Sequence, residues 1–439
     1  MRRTRFAASL LTATALIAAC RADESLRPPT APPTPSGGAL FQRYVSMGNS
    51  ITAGFQSAGI NDSTQRRSYA VLLAAAMGAE FTYPSLLGRG CPPPFTNNVT
   101  QARLGGGTPT TCDLRASNTV PGNLAVPGAR VEELLNNFGV PVSSSNALTL
   151  LFLGGQTQVE RLLETGATYV SVWIGNNDVL GSLTSQTNPG NPLLVTPLPV
   201  FQQEYDSVAD AIDSTGADAL LIGVADVSVI PYASTGATYW CIKNQPACGT
   251  FPAAFPPTFT VSNNCAPALA VPGAKGDSTL VPWPIWIPRL KAALPPPAGT
   301  LTPANLDCTV DADVVTAAEY ANLRNAVLAF NTYIQSVAST HNWAFWNPNS
   351  TLLAEVQTQS NPTGRIPAFP DLSQALTGGS VLFGPLFTLD GVHPSSLTHR
   401  IVADSAAFTI NAKYTSTLPV PICSVSGGPV ACPRIEGDP

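Results

Sequence analysis

Thr168-Tyr169-Val170-Ser171-Val172-Trp173-Ile174 runs directly into Gly175-Asn176-Asn177-Asp178. The first seven residues are almost all β-branched or aromatic, and none is charged. That composition predicts a strand buried on both faces, as in the middle of a parallel sheet. The four residues that follow are turn formers. The same rhythm extends in both directions along the chain. Tyr44 to Met47 is a short β-type run ending at Gly48, and a helical pattern covers Tyr69 to Met77, closed by Gly78. Phe81 to Leu86 reads as a second strand. Helical patterns recur at Val131–Phe138, Val159–Glu164 and Phe201–Asp213, with a further buried strand at Ala219–Val224. A long helix spans about Thr316 to Thr340, then a strand Trp343–Trp346, and a last helix covers roughly Ser396 to Tyr414. Strands alternating with helices predict a parallel sheet with helices on both faces. Ligands of such sheets sit outside the carboxyl ends of the strands. The candidate residues are therefore those just after Met47, Ile174, Val224 and Trp346.

Two stretches break the rhythm. Residues 88–122 are rich in Gly, Pro, Thr and Asn and read as a long loop pinned by a disulfide. Residues 227–312 carry many Pro and four Cys, and read as an insertion or lid rather than an independent domain. The chain has 439 residues and is 44% hydrophobic, enough for a sizeable core. Only 11% of residues are charged, the net charge is −5, and no basic block exists. Nucleic-acid binding has no electrostatic footprint here.

The N-terminus is not part of the fold. Arg2, Arg3 and Arg5 precede an apolar run, Phe6 to Ala19, too short for an ordinary membrane span. It ends in Ile17-Ala18-Ala19-Cys20, which resembles a bacterial lipobox. That resemblance implies a signal peptide at 1–19, cleavage before Cys20 and lipid on Cys20, with 20–38 as lipidated Cys and Pro-rich tether and 39–439 as the folded domain. Cleavage removes three Arg and no acid, taking the formal charge from −5 to −8. Arg21 is not the Asp that retains many lipoproteins at the inner membrane, so the resemblance points to the outer membrane or cell surface. Eight Cys remain: Cys91, Cys112, Cys241, Cys248, Cys265, Cys308, Cys423 and Cys432. An even count in an exported chain implies disulfides. Short loops favour Cys91–Cys112 and Cys423–Cys432, leaving the other four to pair among themselves. Zinc is disfavoured by the lack of a C-x-x-C pair and by a total of three His.

Two strand ends carry candidate chemistry: Gly48-Asn49-Ser50-Ile51-Thr52 and Gly175-Asn176-Asn177-Asp178. Near the C-terminus lies Leu389-Asp390-Gly391-Val392-His393-Pro394. A serine nucleophile needs a base, and His fits at neutral pH. His399 falls within a helical pattern and reads as a packing or surface residue. His341 falls where the long helix ends, at a capping position. His393 is left, with Asp390 three residues before it to orient the imidazole and stabilise its charged form. Asn177 can offer a side-chain NH₂ to an oxyanion, alongside the backbone N–H of Ser50 and that of a loop glycine. Gly128, in Asn123-Leu124-Ala125-Val126-Pro127-Gly128-Ala129, opens the Val131 helix, where N–H groups are free. Asp178 reads as a helix cap.

In this order the segments resemble the blocks of the SGNH (GDSL-like) hydrolases. The resemblance assigns Ser50 as nucleophile, Gly128 and Asn177 as oxyanion donors, and Asp390 with His393 as the terminal D-x-x-H. It implies a flavodoxin-like three-layer α/β/α fold and a serine ester hydrolase that needs no cofactor, acting on a small-molecule or lipid ester. Asn49 stands where the family usually has Asp, and the 227–312 insertion lies outside the blocks. The α/β-hydrolase motif G-x-S-x-G does not occur. Two other readings stand beside the acyl hydrolase. One is a carbohydrate O-deacetylase, which would use the same residues. The other is a non-catalytic binding protein, with Trp240, Trp283 and Trp286 of the insertion lining a sugar or peptide site.

Overall fold

The uncharged run at Thr168 forms β2 (Tyr169–Trp173), every residue of it buried. The computed structural model describes residues 38–420, apart from 114, 116–119, 137–146, 246–247, 249–253, 297, 359–360 and 376–377. On one side β2 pairs in parallel with β1 (Tyr44–Gly48), and on the other with β3 (Asp218–Ile222), which in turn pairs with β4 (Ala344–Trp346). Successive side chains point to opposite faces of a strand, and the sheet divides accordingly. Tyr44, Tyr169, Trp173, Leu220 and Ile222 enter one core, under helices α1 (Tyr69–Met77) and α6 (Ser396–Tyr414). Val45, Met47, Val170, Val172, Ala219 and Leu221 enter the other, under α2 (Gln158–Thr165), α4 (Leu198–Ser214) and α5 (Ala317–Thr340), with α3 (Asn177–Leu183) at its edge. The result is the expected three-layer α/β/α arrangement.

Residues 81–86 do not form a strand. The place beside β1 is taken by residues 122–126, where Ser46 and Gly48 exchange main-chain bonds with Gly122, Leu124 and Val126. Pro84 has no N–H to give a ladder, and the 81–86 run instead lies outside this edge, Thr82 accepting from the Asn123 N–H. With 122–126 on one side of β1 and β2 on the other, β1 sits where the strand order reverses. That is the topological switch point at which ligands of open parallel sheets bind. The Val131 pattern begins as a single 3-10 turn, Val131–Leu134; its remainder from 137 lies outside the described residues.

The insertion has two small strand pairs, Ala233–Thr235 with Leu280–Pro282 and Phe259–Val261 with Ala304–Leu306. Helices Gly236–Lys243 and Trp283–Ala292 complete it. Disulfides Cys241–Cys248 and Cys265–Cys308 tie it, and Cys91–Cys112 ties the earlier loop. The insertion's buried side chains are continuous with the main core. Cys20, the 1–37 segment and the Cys423–Cys432 pair lie outside the described residues.

Candidate active site

β1 ends at a glycine for steric reasons. Gly48 has φ 149°, and a Cβ there would stand 2.4 Å from the Trp173 carbonyl oxygen. Its peptide groups are gripped by the buried amide of Gln158: Gly48 N–H donates to Oε1 and Nε2 donates to the Gly48 carbonyl, both at 2.8 Å. Asn49 then caps the helical turn Ser50–Ala53, its Oδ1 accepting the Ile51 N–H at 3.1 Å. Asn49 is fully buried, where an amide avoids the desolvation that a carboxylate would incur. Below the turn, Thr52 shares a hydrogen bond with the Tyr69 hydroxyl at 2.9 Å, and its carbonyl accepts from Asn123 Nδ2 at 2.9 Å.

The C-terminal loop brings the imidazole to this turn. His393 Nε2 lies 2.9 Å from Ser50 Oγ, and Nδ1 lies 2.8 Å from Asp390 Oδ2. The other Asp390 oxygen accepts the backbone N–H groups of Val392 and His393 at 2.9 and 2.8 Å, and the Thr388 hydroxyl at 3.2 Å. Burial works to raise the Asp390 pKa. The His393 charge and these hydrogen bonds outweigh it and hold the carboxyl at about 2. Asp390 is therefore ionised at neutral pH and can only accept, so Nδ1 is the donor of this pair; in a neutral imidazole Nε2 then carries the lone pair facing Ser50. Phe55 packs on the imidazole, ring centroids 4.8 Å apart.

The other two His are elsewhere, as the sequence indicates. His399 is fully buried in α6, accepts the Tyr69 N–H on Nδ1 at 3.2 Å, and is pushed down to about 3 by burial and by the His393 charge. His341 caps the end of α5 and stacks on Trp343.

Asn177 opens α3, and its Nδ2 donates to the Ala129 carbonyl at 2.9 Å; an amide nitrogen has a second proton to offer. Gly128 is an exposed left-handed residue, φ 86°, one position from that carbonyl, and is not among the residues lining the cavity. Asp178 departs from expectation. It is not the cap of its own helix, a position held by Asn176, but lies buried inside the first turn. Its oxygens accept the Val131 N–H at 3.1 Å and the Thr196 hydroxyl at 2.8 Å. It thereby closes the 3-10 turn of another segment, and burial raises it to about 6 against these hydrogen bonds.

Ser50, His393 and Asn177 open on one cavity. All four strand ends contribute to its wall: Ser50 after β1, Asn177 after β2, Ala225 after β3 and Pro348 after β4. Ile51, Trp173, Leu180, Trp346, Leu352 and Ile401 make the wall largely apolar, and the insertion adds Val227 and Ile230. Trp240, Trp283 and Trp286 do not line a site. They are 8%, 2% and 1% exposed. Trp286 donates its N–H to the Asp313 carbonyl, and Trp283 packs edge-on to Phe369. Buried in the core, these rings present little surface to a sugar or peptide.

Sequence inspection missed three partners of the site: Gln158, Thr388 and the Ala58 N–H, which donates to Asp390 Oδ2. None carries a local signal. A lone Gln in a helical pattern and a backbone N–H in a loop look like any others.

A three-layer α/β/α protein with Ser, His and Asp in hydrogen-bonded series at its strand ends has the architecture of a hydrolase. Residues 44–406 match the family model described as GDSL-like Lipase/Acylhydrolase, and the chain belongs to that family, the carboxylic ester hydrolases of SGNH type. Distant likenesses to solved structures include TesA, at 12% identity and TM-score 0.33, covering 84% of this chain and 98% of that one. They also include the acetyl xylan esterase AlAXEase, at 11% and 0.33, covering 84% and 99%. A third is the extracellular lipase from Streptomyces rimosus, at 13% and 0.31, covering 84% and 98%. No curated protein sequence matches the chain.

Proposed function

We propose that Ser50, His393 and Asp390 are the catalytic triad of this ester hydrolase and that its substrates carry an apolar acyl group. The observation that carries the reading is the unbroken series from Ser50 Oγ through His393 to Asp390, at 2.9 and 2.8 Å. Ser50 Oγ attacks the ester carbonyl while His393 Nε2 takes its proton, and Asp390 stabilises the imidazolium. The oxyanion meets the Ser50 N–H, which as the first residue of a helical turn has no partner within it. The second proton of Asn177 Nδ2 is the other donor to the hole; Gly128, outside the cavity lining, is not assigned to it. His393 returns the proton to the leaving alcohol, then activates the water that releases the acid. The apolar wall beside Ser50 favours an acyl chain over a sugar ring.

A fluorophosphonate probe should label Ser50. Along p-nitrophenyl esters of increasing acyl length, kcat/KM should rise beyond acetate. A maximum at acetate would count against the apolar acyl group, and absence of labelling against the nucleophile. The leader sequence supports a second part of the proposal, that the enzyme is exported and anchored through lipid on Cys20.

A further inference from the structure

The turn Gln56–Gly59 has unusual backbone. Gln56 and Gly59 exchange main-chain hydrogen bonds at 2.8 and 3.1 Å, and between them Ser57 and Ala58 both have φ 53°. Two successive left-handed residues normally call for Asn-Gly or Gly-Gly. Here both carry a Cβ, which disfavours that region. Such a conformation persists where the surroundings over-determine it, and it often marks function.

The surroundings divide into two sides. Towards the C-terminal loop, Ser57 N–H donates to Thr388 Oγ1 at 2.8 Å, and Ala58 N–H donates to Asp390 Oδ2 at 2.5 Å. That oxygen is the one His393 Nδ1 meets. On the other side, the loop closed by Cys91–Cys112 grips the turn's carbonyls. Phe95 N–H donates to the Ser57 carbonyl, and Arg103 Nη1 donates to the Ala58 carbonyl, both at 2.7 Å. The same nitrogen donates to the Pro93 carbonyl at 2.7 Å, and the guanidinium lies over the Phe95 ring at 4.2 Å. Arg103 is 9% exposed. These partners of a buried cation are all neutral, so its placement is not that of an ion pair. It joins the disulfide loop to the turn that touches the acid.

We propose that Arg103 is a positioning residue for hydrolysis: through the Ala58 carbonyl it holds the Ser57–Ala58 turn left-handed, so that the Ala58 N–H fixes the Asp390 oxygen that orients His393. This rests on the reading of Ser50, His393 and Asp390 as the triad. Without the guanidinium the strained turn relaxes, Asp390 Oδ2 loses a donor, and the imidazole loses its aim at Ser50.

The test uses the full-length enzyme and a p-nitrophenyl ester. Arg103→Met should lower kcat by about 10- to 100-fold, the scale of a small misplacement away from the chemistry, with KM unchanged. The downfield NMR resonance of the His393 Nδ1 proton should broaden. Arg103→Lys should retain most activity, because one nitrogen holds both carbonyls. The decisive variant adds Ser57→Gly and Ala58→Gly to Arg103→Met. Glycine adopts positive φ without steric cost, so the turn no longer needs holding, and folding and kcat should recover together. Normal kcat and an unchanged resonance in folded Arg103→Met would overturn the proposal. So would a triple variant that fails to fold, or that folds without regaining kcat. Asp390→Asn separates the two readings. If it keeps full kcat, the triad reading fails; if it is inactive while Arg103→Met is normal, only the role of Arg103 fails.

Discussion

Ser50 and His393 stand 343 positions apart in the chain and 2.9 Å apart in the fold. Replacing either by Ala should leave the circular-dichroism spectrum unchanged and reduce kcat by ~10⁴ or more, the usual consequence of losing one member of a triad. Near-normal turnover by His393→Ala would exclude it as the base. Asn177→Ala should lose ~10²–10³ in kcat, as expected of one oxyanion donor; a higher KM at constant kcat would make Asn177 a substrate-binding residue instead. Gln158 grips the peptide groups of Gly48, two positions before Ser50. Gln158→Leu strands the Gly48 N–H that now donates to its Oε1. An unpaired buried group costs about 1–3 kcal/mol, so the urea midpoint should fall, and an unchanged midpoint would show that the clamp contributes nothing. Ser50, His393 and Asp390 were legible because each stood in a short motif. Gln158 was not, since its function lies wholly in a contact between distant segments.

At the scale of elements, α1 and α6 meet through His399, which accepts the Tyr69 N–H at the first turn of α1. Burial holds His399 neutral, its pKa near 3, against an ordinary value of about 6.5 in the unfolded chain. Below pH 6.5 the unfolded state takes up a proton that the folded state refuses, so stability falls as pH drops from about 6.5 towards 3. Asp390 has the opposite origin and a lower window. Its carboxyl is held at about 2, so it contributes stability above its unfolded value of about 3.9 that is lost as pH falls from there through 2. His399→Gln should therefore lose less unfolding free energy than the parent as pH falls from 6.5 to 4, and keep the fall below 4. Parallel curves for the two proteins would refute this. The bounds of α1 were readable because its stop signals are local: Ser68 accepts the Val71 N–H, and Gly78 closes the helix in the left-handed conformation. The 81–86 run misled because β-forming composition says what a segment can do, while the place beside β1 went to residues 122–126. Asp178 misled likewise: its carboxylate closes the turn of a different segment, 47 positions away.

For the whole molecule, three disulfides join described segments, and Cys91–Cys112 closes a separation of 21 residues. Replacing both of these Cys by Ser should cost about 3 kcal/mol through the freed unfolded chain, measurable as a lower urea midpoint. No change would mean that the loop is held by its other contacts. Export is tested at the same scale. Cys20→Ser expressed in the native host should lose palmitate labelling and leave the membrane fraction, since stable anchoring needs more than one chain or signal. Membrane retention with cleavage elsewhere would defeat the lipobox reading. By itself the sequence determined the four strands of the central sheet, most helices, the parallel class and the Ser, His and Asp that stand in one hydrogen-bonded series, because burial pattern, capping and turn chemistry act over a few neighbouring residues. Only the tertiary structure decided which segment flanks β1, that the insertion's tryptophans are core, and which groups contact Gly48 and Asp390. Those outcomes depend on a Gln amide 110 positions from Gly48, an Arg 45 from Ala58 and an Ala N–H 332 from Asp390. Such pairings arise when the folded chain brings polar groups out of water together, and each must then find whichever partner lies within about 3 Å.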